Sequence, residues 1–121
     1  RTKVAEYEHT IASEDEFVNL IPKQASKAAF IRCKGYFEFV DLHHDPSIIY
    51  AQSDSSDNKF NYGGFTPLTF TKRAEDGKLH FDISLTFLDL KKADFMSLYV
   101  WNSKKQRMQA NIEVSVYDVG F

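Results

Sequence analysis

Apolar and polar side chains alternate without a break along residues 79–87. Successive side chains of a β-strand point to opposite faces, so this order gives one apolar face and one polar face. The apolar positions are Leu79, Phe81, Ile83, Leu85 and Phe87, and the polar positions are His80, Asp82, Ser84 and Thr86. The pattern predicts a half-buried antiparallel strand, with residues 95–102 and 67–72 as its candidate partners. The polar face either forms the floor of a ligand groove or meets water.

Similar extended segments, separated by turn residues, recur along the whole chain. They cover residues 3–10, 28–33, 36–41, 47–52, 59–62, 67–72, 95–102 and 110–117. The polar cluster at residues 53–58 predicts a hairpin that pairs residues 48–52 with 59–62. Lys34 and Gly35 separate two other segments, where either a tight turn or a bulged continuous strand fits. About eight or nine strands at this spacing predict an all-β, antiparallel β-sandwich.

Residues 13–22 carry a different signal. Ser13 and Glu16 have the spacing of a capping box, which marks the first turn of many helices. We expect here either one short helical turn or an irregular crossover that tucks Phe17 and Leu20 under the edge of a sheet.

Composition supports the β prediction and excludes some classes of partner. The 121 residues fit a single domain, residues 1–121, and the eleven Phe and six Tyr suit strands better than helices. The formal net charge of -2 gives no basic field, so we expect no nucleic-acid partner. No apolar stretch approaches the roughly 18–20 residues that span a bilayer, so we expect no direct membrane insertion of this segment.

The termini and the single cysteine add two expectations. Because the sequence begins at Arg1, we expect the domain to be excised from a larger protein. Cys33 lies in a short apolar run, which predicts a small core residue and not a nucleophile. One buried thiol is tolerated in reducing and oxidising compartments alike, so it does not indicate the localisation.

No motif in the chain indicates a particular reaction. There is no Gly-x-Ser-x-Gly elbow, phosphate-binding loop or Rossmann fingerprint. His43, His44 and Asp45 are competent metal ligands, but adjacent residues of a strand point to opposite faces. We therefore expect them to be solvated loop residues, and we predict no enzyme activity, no metal site and no cofactor.

Aromatic side chains are the best binding candidates, since the apolar faces of sugar rings stack on them. The candidates are Tyr62, Phe65, Tyr99 and Trp101, of which Tyr62, Tyr99 and Trp101 are the predicted binding residues. In residues 95–101 both faces of the strand are rather apolar. One covers the core, and the other meets a loop of the same domain, a ligand or a second protein.

The C-terminal third also resembles a known family. Residues 90–95, the run Leu98-Tyr99-Val100-Trp101-Asn102 and the run Ile112-Glu113-Val114-Ser115-Val116 resemble the end of galactose-binding-like jelly-roll domains, a carbohydrate-binding-module-like group on bacterial surface and secreted proteins. Residues 99–102 are the most specific part. Many relatives carry an Asp pair near a structural calcium ion where this chain has Gln109-Ala110-Asn111, so the calcium site is not carried over.

The resemblance implies a two-sheet antiparallel β-sandwich of the jelly-roll type outside the cytoplasm, in the periplasm, on the cell surface or secreted. It also implies a noncatalytic binding or accessory module of a bacterial protein, with glycan as the first ligand to test. The alternative is a structural or protein-interaction ectodomain of a membrane or multidomain protein, which docks on a neighbouring domain and has no small-molecule ligand.

Overall fold

A computed structural model describes residues 2–22, 30–38, 46–53, 56, 58–66, 77–86 and 95–118. These residues form eight β-strands and no helix, which confirms the all-β prediction. The strands are β1 (Thr2–Ser13), β2 (Phe17–Asn19), β3 (Phe30–Glu38), β4 (Ser47–Ser53), β5 (Lys59–Phe65), β6 (Lys78–Thr86), β7 (Phe95–Trp101) and β8 (Met108–Asp118).

The strands form two four-stranded antiparallel sheets. Sheet I has the order β1-β8-β3-β6, and sheet II has the order β2-β7-β4-β5. The first strand pairs with the last, and the pairing continues inward through β2 with β7 and β3 with β6 to the hairpin of β4 with β5. Folding this long ladder over itself places β3 beside β8 and β4 beside β7. This arrangement is the jelly roll, and it confirms the predicted two-sheet sandwich.

The core lies between the inner faces of the two sheets, where alternate strand residues meet. Phe37 and Phe81 of sheet I stack there with ring centroids 5.5 Å apart. Each large apolar side chain that is fully buried contributes about 1.5–3 kcal/mol. The fully buried members of the core include Ile31, Phe37, Ile48, Leu79, Met96, Leu98, Val100, Met108 and Ile112.

Cys33 belongs to this core, as its sequence context predicted. Its side chain is fully buried on β3, where it lies in register between Val114 of β8 and Ile83 of β6. Burial raises the pKa of its thiol to about 12, because the apolar surroundings disfavour the thiolate.

The predicted alternation of β6 is confirmed, but one of its predicted partners is wrong. Leu79 and Phe81 are buried, and the polar positions from His80 to Thr86 are exposed. Residues 95–102 do not pair with β6, because they form β7 in the other sheet, and β6 pairs with β3. The jelly roll sends most consecutive strands to alternate sheets, so neighbours in sequence are not neighbours in a sheet. The second predicted partner, residues 67–72, lies outside the described residues.

Of the two alternatives for residues 13–22, the short helical turn is not formed, and the burial of Phe17 expected with a crossover is wrong. Ser13 Oγ accepts a hydrogen bond from the backbone N–H of Asp15 at 2.9 Å, which is a local turn and not a helix cap. The chain then enters β2, which pairs with β7, so Phe17 points outward and is 56% exposed. Leu20 is buried as expected, and its N–H donates to the carbonyl of Leu98 at 2.8 Å.

At Gly35 the chain continues as one strand, and it does so without a turn. The registers of β3 with β6 and with β8 run through Gly35 without a shift. A Cβ atom at this position would lie 1.9 Å from the backbone carbonyl oxygen of Asn111. Glycine is therefore required by the close approach of two backbones inside sheet I.

Candidate functional site

The three predicted binding residues lie together on the outer face of sheet II. Residues directly opposite each other in an antiparallel pair share a face of the sheet. Trp101 lies opposite Phe17 of β2, and Tyr99 lies two residues before Trp101 on the same face. Tyr62 of β5 reaches Tyr99 across β4 and forms a hydrogen bond with it. We call Phe17, Tyr62, Tyr99 and Trp101 the aromatic face.

Contacts between the rings tie the aromatic face together. The rings of Phe17 and Tyr99 meet edge to face, with centroids 5.7 Å apart and an interplanar angle of 75°. Burial raises the pKa of Tyr99, and the charge of Tyr62 and the hydrogen bond with it raise that pKa further. Tyr62 is 58% exposed and Trp101 is 38% exposed. Large aromatic surface therefore remains accessible although the rings are mutually supported.

Trp101 is held in place by two turns at the same end of sheet II, the one before β2 and the one after β7. Its indole N–H donates a hydrogen bond to Glu16 Oε2 at 3.3 Å, and Lys105 Nζ lies 3.7 Å from Glu16 Oε1. The backbone carbonyl of Glu16 accepts from the N–H of Asn102 at 2.7 Å. The buried Asn102 side chain in turn donates to the carbonyl of Gln106 at 2.7 Å. The indole is thus oriented by a polar network that leaves its ring in contact with solvent.

Phe65, the fourth aromatic candidate, lies on the other side of sheet II. It is opposite Ile48, whose side chain is buried in the core, and it packs against the core cluster. Phe65 therefore does not share a face with the other three candidates. Tyr62 and Phe65 are three positions apart in β5, so their side chains point to opposite faces of the sheet.

A groove of about 860 Å³ crosses the outer face of sheet I. Two rows of side chains line it, each with one residue from each of the four strands in register. The charged row is Glu8, Glu113, Lys34 and Asp82, and the neutral row is Thr10, Asn111, Tyr36 and His80. The polar face of β6 was expected either to form the floor of a groove or to meet water. His80 and Asp82 do line the groove. Ser84 and Thr86 are exposed and do not line it.

Most charges of the charged row have partners. Arg32 donates two hydrogen bonds to Asp82, at 3.0 and 2.6 Å, and the pKa of Asp82 is lowered chiefly by this interaction. Lys34 Nζ lies 3.6 Å from Glu113 Oε2. Glu8 stands directly opposite Glu113 and makes no ion pair within the described part of the chain. The β1 end of the groove therefore carries a surplus of negative charge.

The neutral row presents rings and hydrogen-bonding groups. The rings of Tyr36 and His80 lie 5.4 Å apart at an angle of 52°. Lys78 Nζ is 4.4 Å from the centroid of the Tyr36 ring, and the side-chain amide of Asn111 donates to the Tyr36 hydroxyl. These contacts fix the position of Tyr36, which is half-buried at the floor of the groove.

Sequence reasoning missed the residues that complete these two surfaces. Glu16 holds Trp101 across 85 positions of sequence, and Arg32 holds Asp82 across 50. Neither pair has a local signal, because register between distant strands creates both. Phe17 had a usable signal in its own residue type and that of Val18, because aromatic and β-branched residues favour strands despite the capping-box spacing.

Neither a metal centre nor a membrane-spanning helix is found in the described ranges. No group of three or more His, Cys, Asp or Glu side chains within those ranges could hold a metal ion. His43, His44 and Asp45 lie outside them. None of the described residues belongs to a helix that is long and apolar enough to cross a membrane.

The fold and the two surfaces define a class, the two-sheet jelly-roll sandwich, and comparisons with known proteins add no family to it. No family model matches the chain. No curated protein and no solved structure is significantly similar to it. The resemblance to galactose-binding-like domains, and the location outside the cytoplasm that it implies, stay predictions.

Proposed function

We propose that this domain is a noncatalytic binding module for glycans and that the aromatic face is its contact surface. One observation carries the proposal: the exposed indole of Trp101 is fixed in orientation by Glu16. A ring held in place before binding loses little conformational freedom when a ligand stacks on it. Sugar rings offer apolar faces of matching size to such a ring.

The spacing of the rings suits a chain of sugars. Phe17 and Trp101 are opposite each other, so their Cβ atoms are roughly 5 Å apart. Tyr99 follows on the same face at about 7 Å, which is two strand rises. Stacked sugars would meet more than one ring, so several rings would contribute to the affinity.

Polar groups beside the rings supply contacts for sugar hydroxyls. The carboxylate of Glu16, the ammonium group of Lys105 and the hydroxyl of Tyr62 lie at the border of the aromatic face. A hydroxyl both donates and accepts, so it suits this mixture of acceptors and donors. Apolar rings with a few placed polar groups are typical of small-molecule sites.

The second candidate function is a protein-interaction or structural domain that docks through the same face. Exposed Trp, Tyr and Phe side chains are enriched at the centres of protein interfaces. Sedimentation and cross-linking of the full-length protein test this alternative. If no cross-link joins this domain to another part of the same protein, docking on a neighbouring domain is excluded.

The glycan proposal can be tested directly, because Trp101 is the only tryptophan of the chain. Neutral polysaccharides and oligosaccharides are titrated while tryptophan emission and binding heat are recorded. We expect binding to change the emission, and Trp101→Ala to weaken affinity about tenfold or more, which is roughly 1.4 kcal/mol. Trp101→Phe should keep part of the affinity, since a smaller ring remains.

Val4→Ala is the matched control, because it removes an exposed apolar side chain from sheet I. It should leave the affinity unchanged. No binding to any polysaccharide at millimolar concentration would overturn the proposal. Equal affinities of the Trp101→Ala and Val4→Ala variants would show that the aromatic face is not the contact surface.

A further inference from the structure

We infer that the groove on sheet I is a second glycan site, which takes an uncharged chain lying across the four strands and rejects acidic chains. This inference rests on the proposed function for the class of ligand, but it concerns a different surface. The aromatic face belongs to sheet II and the groove to the outside of sheet I, so the core of the sandwich separates them.

The shape and direction of the groove point to an extended ligand. Its two rows follow the register across all four strands of sheet I. Three intervals between strands give a row of roughly 14 Å. A volume of about 860 Å³ is within the range of ligand-binding clefts, and it exceeds what one ion or one small anion would fill. The dimensions suit a short oligomer that runs perpendicular to the strands.

The neutral row provides the contacts that an uncharged sugar needs. Tyr36 and His80 present two neighbouring rings, and hydrogen bonding to Asn111 holds the Tyr36 hydroxyl. Thr10 continues the row on β1 with a hydroxyl group. Ring faces and groups that both donate and accept lie side by side, which is the combination that recognises a polyhydroxylated ring.

The charged row sets the selectivity. The two cations at the charged row already have carboxylate partners, since Arg32 pairs with Asp82 and Lys34 with Glu113. Glu8 opposite Glu113 adds like charge at the β1 end. A uronate or sulfate group placed there would be repelled, whereas a hydroxyl group can donate to either carboxylate.

Calorimetric titration of the Trp101→Ala variant separates the two sites, because its aromatic face is disabled. We expect this variant to retain binding of a neutral oligosaccharide, and the wild type to bind about two chains per domain. Adding His80→Ala should weaken the retained binding tenfold or more. Ser84→Ala is the matched control, since Ser84 is exposed on the same face of β6 but outside the groove, and it should have no effect.

Selectivity is tested with a neutral oligosaccharide and a uronate oligomer of equal length. We expect the uronate to bind the groove at least tenfold more weakly at low salt, and Glu8→Gln to narrow the difference. Added salt should also narrow this difference in affinity, because the groove is open to solvent and salt screens its charges. Equal affinity for the two oligomers would overturn the selectivity.

The possible failures are distinguishable. Loss of all binding in Trp101→Ala would overturn the second site and leave the proposed function intact. Unchanged binding in Trp101→Ala together with loss in His80→Ala would support the groove and overturn the role of the aromatic face. Absence of binding in the wild type would overturn both.

Discussion

The outer faces of the two sheets differ in chemistry although both are built on the same antiparallel pleat. On sheet II the exposed positions of β7 and β2 carry rings that touch one another, and one polar network at the border orients Trp101. On sheet I the exposed positions carry charges that pair across strands, such as Arg32 with Asp82. Ring contacts stabilise the fold by burying apolar area. Exposed ion pairs contribute little free energy, and salt weakens them.

This difference implies that the two faces should respond differently to the same perturbation. Removing a ring from the aromatic face removes apolar contact area, and ions from the solvent cannot compensate for that loss. Removing one charge from the groove leaves its former partner in contact with water, which solvates it at little cost. The strands of the two sheets also differ in what surrounds their glycine residues.

The largest expected effect is the loss of stability caused by Gly35→Ala in sheet I. The new Cβ would lie 1.9 Å from a backbone oxygen of Asn111, which cannot move without breaking the β3–β8 ladder. We expect a loss of about 3 kcal/mol or more in the free energy of unfolding, at or above the upper end for overpacked sites. Urea denaturation followed by circular dichroism measures it.

Gly64→Ala in sheet II is the matched comparison. Its Cβ would meet the Cδ1 atom of Ile49 at 2.6 Å, and that atom is the end of a flexible side chain. The nearest backbone atom, the carbonyl oxygen of Ile48, is at 3.4 Å. We expect a loss of about 1 kcal/mol. Similar losses for the two variants would contradict the view that a clash with backbone, as at Gly35, costs more stability than a clash with a flexible side chain, as at Gly64.

Much of the fold could be predicted from the alternation of residue types, because alternation is a local property of a strand. The faces of β6 and the Ile112, Val114 and Val116 stripe of β8 follow from it directly, and the structure buries the apolar side of each. Strand pairing is not local. The partner of β6 is β3, some 50 positions earlier, and nothing in residues 79–87 specifies that choice.

The two candidate surfaces also differ in how far local sequence properties predict them. Residue type and alternation were enough to select Tyr62, Tyr99 and Trp101. The polar face of β6 left a groove as one of two alternatives, but the residues of the other three strands could not be predicted, because each row exists only when four strands are in register. Phe17 was expected under the edge of a sheet, but its pairing with β7 turns it outward and also outweighs the weak local preference for helix.

A smaller effect is expected from removing one side-chain amide at each of the two surfaces. Asn102→Ala deletes the buried side chain that bonds Gln106 and leaves that carbonyl without this donor. We expect a loss of about 1–3 kcal/mol and a change in Trp101 emission, because the backbone of Asn102 anchors Glu16. Asn111→Ala is the comparison in the groove. Asn111 is half-buried and its partner Tyr36 can bond water, so we expect about 0.5–1 kcal/mol.

These two variants would be compared by urea denaturation and by tryptophan emission in the folded state. The emission of Asn111→Ala should match that of the wild type, because Asn111 lies on the opposite sheet from Trp101. Equal changes in emission would show that the faces are coupled through the core, contrary to the separation proposed above.

The smallest expected effect is the pH dependence contributed by the Arg32–Asp82 pair of the groove. The hydrogen bonds from Arg32 lower the pKa of Asp82 in the folded state, so the unfolded chain binds a proton more readily at acid pH. The resulting stability is fully present above the ordinary pKa of an Asp side chain, and it is lost as the pH falls through the lowered folded value. Because the pair is exposed, the effect should be smaller than that of either amide variant and should shrink in salt. Asp82→Asn should therefore reduce the difference in denaturation midpoint between neutral and strongly acid pH, while Asp15→Asn, in the exposed turn before β2, should not. If Asp82→Asn left that difference unchanged at low salt, the Arg32–Asp82 pair would contribute no stability to the fold.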